Sequence, residues 1–94
     1  KSEGKYVVMA SEFSLKVVTP SNTFYDGDVE MIVVRTTKGD KGVLKGHIPF
    51  VSGIPVGTLK IKKEGSFKEA KIAEGFINVT QDKTVILTES AEWI

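Results

Sequence analysis

Among its 94 residues the chain has no cysteine, one histidine, one tryptophan and a single arginine, Arg35. Without cysteine there are no disulfides, thiolate metal sites or thiol nucleophiles, an absence compatible with a reducing compartment. Thirteen basic against twelve acidic residues leave a formal charge of +1. Lysines alternate with acids through most of the chain, so no long-range field draws in nucleic acid or a membrane surface. No apolar run approaches the roughly 20 residues of a transmembrane helix. The patch from Tyr6 to Ala10 is too short and badly placed for a signal peptide. Residues 1–11 read as an extension or an artificial tail, with Met9 as a candidate start.

What is present is enough for one domain with one modest core. Phe13 to Thr19 alternates Phe13, Leu15 and Val17 with Ser14, Lys16 and Val18, the period of a half-buried strand. Pro20-Ser21-Asn22 ends it. A short strand follows over Thr23 to Tyr25, and Asp26-Gly27-Asp28 reads as a turn. Val29 to Thr37 is β-branched nearly throughout, which favours a strand covered on both faces or a bulged one. Phe50 to Ile54, Thr58 to Lys63, Ser66 to Ala73, Phe76 to Thr80 and Lys83 to Thr88 continue the series. Glu64-Gly65 is a two-residue hairpin connection.

The fold expected is all-β, a two-sheet antiparallel β-sandwich of about eight to ten strands over residues 12–89. Its expected core is Leu15, Val17, Val33, Leu59, Ile61, Phe76, Val85 and Leu87. Only Glu89 to Ile94 changes character: Ser90 resembles a helix cap, and residues 90–94 read as the first turn of a helix that the chain does not continue.

Chemistry is harder to find. His47 is the natural catalytic suspect, but Asp40 is the only nearby acid and no serine has a nucleophile context, so a structural or interface histidine is the reading. Asp26, Asp28 and Glu30 alternate, yet lack the roughly twelve-residue calcium loop with its closing glutamate; they read as turn-forming and edge-protecting acids. The glycines of Gly39 to Gly46 are not followed by Lys-Ser/Thr, which excludes a P-loop. Lys60, Lys62, Lys63, Lys68 and Lys71 are diluted by Glu64 and Glu69 and carry no aromatic ladder, so they read as a solvated face, not a nucleic-acid groove. Asn78-Val79-Thr80 matches a glycosylation acceptor but has no secretory signal to support it. No metal, cofactor or catalytic constellation is expected.

The most telling stretch is Gly39-Asp-Lys-Gly-Val-Leu-Lys-Gly-His-Ile-Pro-Phe50. Its three glycines and proline punctuate Val43, Leu44, Ile48 and Phe50, the mark of a shaped loop rather than a flexible linker. It resembles the Gly-acidic-x-Gly-φ-φ-Pro-Gly-His-Ala-Pro-φ loop of the epsilon subunit of F-type ATP synthases. The resemblance extends in order through Leu15-x-Val17-Val18-Thr19-Pro20, Phe24-Tyr25-Asp26-Gly27-x-Val29-Glu30 and Val33-Val34-Arg35-Thr36. It continues through Gly57-x-Leu59-x-Ile61, Glu74-Gly75-Phe76-x-Asn78-Val79 and Val85-x-Leu87-Thr88-Glu89-Ser90-Ala91-Glu92. Lys45, Ile48 and Glu74 depart from the family's proline, alanine and glycine.

That resemblance implies the amino-terminal β-sandwich of a non-catalytic rotor subunit, which joins gamma to the c-ring of a proton-translocating synthase. It would lie peripherally on the cytoplasmic face of a bacterial plasma membrane. It further implies a partner interface at Asp40, Lys41, Gly42, Lys45, Gly46 and His47, with Asp40 towards the c-ring loops. The family's carboxy-terminal helical hairpin, which carries inhibition of ATP hydrolysis and contact with the catalytic alpha and beta subunits, has no counterpart in these residues. The alternative is a free-standing binding module for carbohydrate or peptide. Its mark would be an exposed aromatic platform, whereas Phe13, Phe24, Tyr25, Phe50, Phe67 and Phe76 read mostly as core.

Overall fold

β-Branched and alternating segments organise the whole domain. The computed structural model describes residues 12–94; the reading of residues 1–11 as a tail lies outside them. Ten strands occur among the described residues. They are β1 (Phe13–Val18), β2 (Thr23–Val29), β3 (Met31–Thr36), β4 (Gly39–Val43) and β5 (Phe50–Ile54), then β6 (Gly57–Lys63), β7 (Ser66–Ile72), β8 (Gly75–Val79), β9 (Lys83–Thr88) and β10 (Ala91–Trp93). They form two five-stranded sheets, ordered β2-β1-β9-β8-β5 and β10-β7-β6-β3-β4. All pairings are antiparallel except that of β1 with β9, which is parallel. The all-β sandwich is the fold the sequence indicates.

Local chemistry explains the connections. Glu64 and Gly65 both take positive φ, 53° and 79°, as a two-residue hairpin loop with the twist of its flanking strands requires. At the β3–β4 turn Thr36 Oγ donates to the Gly39 carbonyl at 2.8 Å and accepts the Lys38 N–H at 3.0 Å. Thr19 closes the β1–β2 turn similarly, donating from its N–H to the Asn22 carbonyl at 2.8 Å.

Several boundaries differ from the sequence reading. Asp26-Gly27-Asp28 is not a turn: it lies inside β2, opposite Lys16, Leu15 and Ser14 of β1. The long β-branched segment breaks at Glu30, whose N–H leaves the β2 ladder and donates to the Lys62 carbonyl at 2.8 Å. Gly39 to Val43 is a strand, so the loop proper is residues 44–49. Residues 90–94 form no helix. The open edge of β7 satisfies their backbone instead, pairing Ala91 with Ile72 and Trp93 with Ala70, and the Ile94 N–H reaches the Glu69 carbonyl at 3.0 Å.

The core is half as expected. Leu15, Val17, Leu59 and Ile61 are buried, together with Phe13, Val29, Ile32, Val34, Ile77, Val79 and Ile86. Val33 and Val85 are only half-buried, and Phe76 and Leu87 are exposed. On β3, β8 and β9 the inward phase is shifted by one residue, which in a strand sends every side chain to the opposite face. β9 turns Thr84, Ile86 and Thr88 inward. Thr88 Oγ donates to the Ala73 carbonyl at 2.7 Å, whereas the buried Thr84 Oγ finds no partner. Of the aromatics, Phe13 is buried and Phe24, Tyr25 and Phe50 pack against the core, but Phe67 lies on the surface with Phe76.

Candidate functional site

The six residues singled out in the glycine-rich stretch do not form one cluster. Alternation along β4 sends Lys41 and Val43 inward, opposite the buried Val34 and Ile32. Asp40 and Gly42 point outward, opposite Arg35 and Val33. Asp40 accepts a hydrogen bond from Arg35 Nε to Oδ1 at 3.1 Å.

Lys41 and His47 are brought together by Phe50. The Lys41 Nζ lies 5.7 Å from the centre of the Phe50 ring, and the His47 ring lies 5.2 Å from it at a tilt of 59°. Such distances suit a cation over an aromatic face and a tilted ring pair. His47 Nδ1 donates to the Ile48 carbonyl at 2.8 Å. The ring is therefore engaged by backbone and an aromatic rather than by a carboxylate or a nucleophile. This arrangement shapes a loop. Phe50 is the residue the sequence reading left out of the site; its position directly after Ile48-Pro49 was the available signal.

The loop itself is held in place. The His47 N–H donates to the Leu44 carbonyl at 3.1 Å, closing a turn in which Gly46 takes φ 83°. That conformation is costly for residues with a β-carbon. The Gly46 N–H then donates to the Gln81 carbonyl at 2.7 Å, tying the loop to the β8–β9 turn. Lys45 is exposed at the tip beside Leu44 and Ile48.

A second surface was not anticipated. The outward face of the β1–β9–β8–β5 layers carries Val51, Phe76 and Leu87, exposed by 66%, 62% and 51%, with Val18 and Val85 half-buried beside them. Phe76 pairs directly with Leu87, and Leu87 with Val18. The outward face of the other sheet is charged instead: Lys60 stands opposite Glu69, and Lys71 lies between Thr58 and Glu92. One sandwich thus has a largely charged outer face and another on which the apolar row Phe76–Leu87–Val18, with Val51 and Val85, lies among Asn78, Lys16 and Lys83. Exposed apolar side chains grouped in this way suit an interaction site. No group of three or more potential metal ligands occurs among the described residues, and no helix there is long and apolar enough to cross a membrane.

Comparison with known proteins agrees with the fold and extends it. Residues 12–94 match the family described as the ATP synthase, Delta/Epsilon chain, beta-sandwich domain. The ATP synthase epsilon chains of Alkaliphilus oremlandii and Alkaliphilus metalliredigens are 51% and 53% identical to this chain over 85 residues. Each match covers 90% of this chain and 63% of the relative, so the chain spans under two thirds of the length of those relatives. A chain in the Euglena gracilis mitochondrial ATP synthase (OSCP/F1/c-ring) is similar in structure, with a TM-score of 0.82 and 27% identity over 87% of this chain and 53% of that one. A chain in the Tetrahymena thermophila mitochondrial ATP synthase central stalk and c-ring shares the fold, with a TM-score of 0.74 at 16% identity over 87% of this chain and 66% of that one. With a family match across all the described residues and relatives half identical to it, this chain belongs to the ATP synthase delta/epsilon chain family, through its β-sandwich domain.

Proposed function

We propose that this domain is a non-catalytic element of the rotor of a proton-translocating ATP synthase, joining the gamma subunit to the ring of c subunits. The observation that carries the reading is the unequal chemistry of its surfaces. The apolar face around Val51, Phe76 and Leu87 suits a permanent protein neighbour, because burying it on assembly removes apolar area from water. This is the face we assign to gamma. The polar surface at Asp40 and Gly42 suits the hydrophilic loops of the c-ring, and the loop at Lys45, Gly46 and His47 lies between the two. A stiff sandwich with a pinned loop transmits torque through contacts and needs no chemistry of its own.

In this reading the domain works peripherally, at the cytoplasmic face of a bacterial plasma membrane. Contact with the alpha and beta subunits, and any control of ATP hydrolysis, belongs to the helical hairpin of the longer family members.

Capture of the protein on immobilised gamma and on detergent-solubilised c-rings tests this. Retention by both is expected. Phe76→Ser combined with Leu87→Ser should weaken gamma capture, and Asp40→Lys should weaken c-ring capture, each with the circular dichroism of the fold unchanged. Failure of both partners to retain the unmodified protein, with retention on glycan or peptide resins, would replace the rotor reading with that of a binding module.

A further inference from the structure

We infer that Arg35 is the positioning residue of the Asp40 contact, holding that carboxylate in the one orientation in which a polar loop of the c-ring can take it. The inference rests on the rotor reading above.

Arg35 is the only arginine in the chain. It stands on an outward position of β3 directly opposite Asp40 on β4, the last strand of its sheet. Nε donates to Oδ1 at 3.1 Å, and this is the one ion pair within 4 Å among the described residues. The two side chains are 65% and 63% exposed. An ion pair so exposed contributes little to folding, so stability does not account for it. Geometry does. A guanidinium that bonds through Nε is a rigid plane, and it leaves Oδ2 of the carboxylate free, whereas a lysine on its flexible stem would fix no direction.

The surroundings make room for a partner beside the pair. Beside the pair lies a shallow depression of about 270 Å³ lined by Val33, Gly57, Thr58 and Lys60 as well as by Arg35 and Asp40. Gly57 contributes no side chain to it. A carboxylate ordered in advance loses less conformational freedom when a donor on the partner engages it. Arg35 therefore acts through Asp40 rather than by its own contact.

The test is a double-mutant cycle on the full-length protein, reading affinity for detergent-solubilised c-rings and, separately, for gamma. Arg35→Ala should lower c-ring affinity by about two- to fivefold, with gamma affinity and the thermal midpoint unchanged. Arg35→Lys should lose as much as Arg35→Ala, because a lysine keeps the charge but fixes no direction. Arg35→Ala with Asp40→Ala should bind no more weakly than Asp40→Ala alone. Exchanging the pair, Arg35→Asp with Asp40→Arg, should preserve the fold and lose the ring. Unchanged affinity in Arg35→Ala, fully additive losses in the double variant, or ring binding by the exchanged pair would each overturn the inference. If the unmodified protein binds gamma but no c-ring, the partner reading falls and takes this inference with it. If it binds c-rings and the Arg35 variants bind equally well, only the inference falls.

Discussion

The ring of Trp93 on β10 lies 4.6 Å, centre to centre, from the ring of Phe24 on β2. The two strands are outer strands of different sheets, so this contact closes one side of the sandwich. Tyr25 meets the same indole edge-on at 6.1 Å, and Lys68 Nζ lies 4.5 Å from its centre. The terminal indole is thus folded back on the sandwich as a clasp between layers.

Removing the clasp should cost stability. Trp93 is 40% exposed, so Trp93→Ala forfeits part of a buried side chain and one aromatic pair, about 1–2 kcal/mol together. Urea titration reads the loss. As the chain's only tryptophan, Trp93 should also emit at shorter wavelength than a solvent-exposed indole. A fully solvent-like spectrum in the unmodified protein would show that the clasp does not form.

The shifted phase of β8 gives a contrast within adjacent residues. Ile77 is buried and Phe76 beside it is exposed. Ile77→Ala should cost about 2–5 kcal/mol, as should Leu59→Ala on β6. Phe76→Ser should stay within about 0.5 kcal/mol of the unmodified protein. Equal losses at Ile77 and Phe76 would contradict the assigned faces.

Thr84 presents the opposite case. Its hydroxyl is fully buried with no hydrogen-bond partner, a condition that costs about 1–3 kcal/mol. Thr84→Val keeps the shape and discards the hydroxyl, so the thermal midpoint should rise. A fall would mean that the hydroxyl is satisfied in solution.

Gly75 is required by packing rather than by its φ. A β-carbon there would overlap the carbonyl oxygen of Leu87 on β9. Because backbone cannot yield as a flexible side chain does, Gly75→Ala should cost several kcal/mol or prevent folding. At Gly46 nothing lies within 4 Å of such a carbon, but φ is 83°; Gly46→Ala should therefore cost only about 1 kcal/mol of backbone strain. Parallel denaturation curves of the two variants decide the order, and a milder loss at Gly75 would sink the argument.

Much of this protein was determined by local chemistry that a single sequence displays. The alternation of Leu59 and Ile61 with Lys60 and Lys62 places β6 and its inward face, since charged side chains are costly to bury. Glu64-Gly65 dictates its own turn. The absence of cysteine and of any nucleophile setting excludes thiol chemistry, and the ordered motifs around Gly39 to Phe50 carry the family.

Tertiary structure decided the rest. Where both phases of a strand are apolar, as with Val33 and Val34 or Ile86 and Leu87, alternation names no inside; the facing sheet chooses, and it chose the threonines of β9. On β8 the polar Asn78 shares the outward face with Phe76, so the phase there is legible in the sequence. Residues 90–94 carry a serine that resembles a helix cap, but the open edge of β7 offers their backbone its partners. The same holds for the site. Asp40 and Lys41 are neighbours in sequence, but pleating sends one to Arg35 and the other to Phe50, and only strand pairing makes those meetings possible.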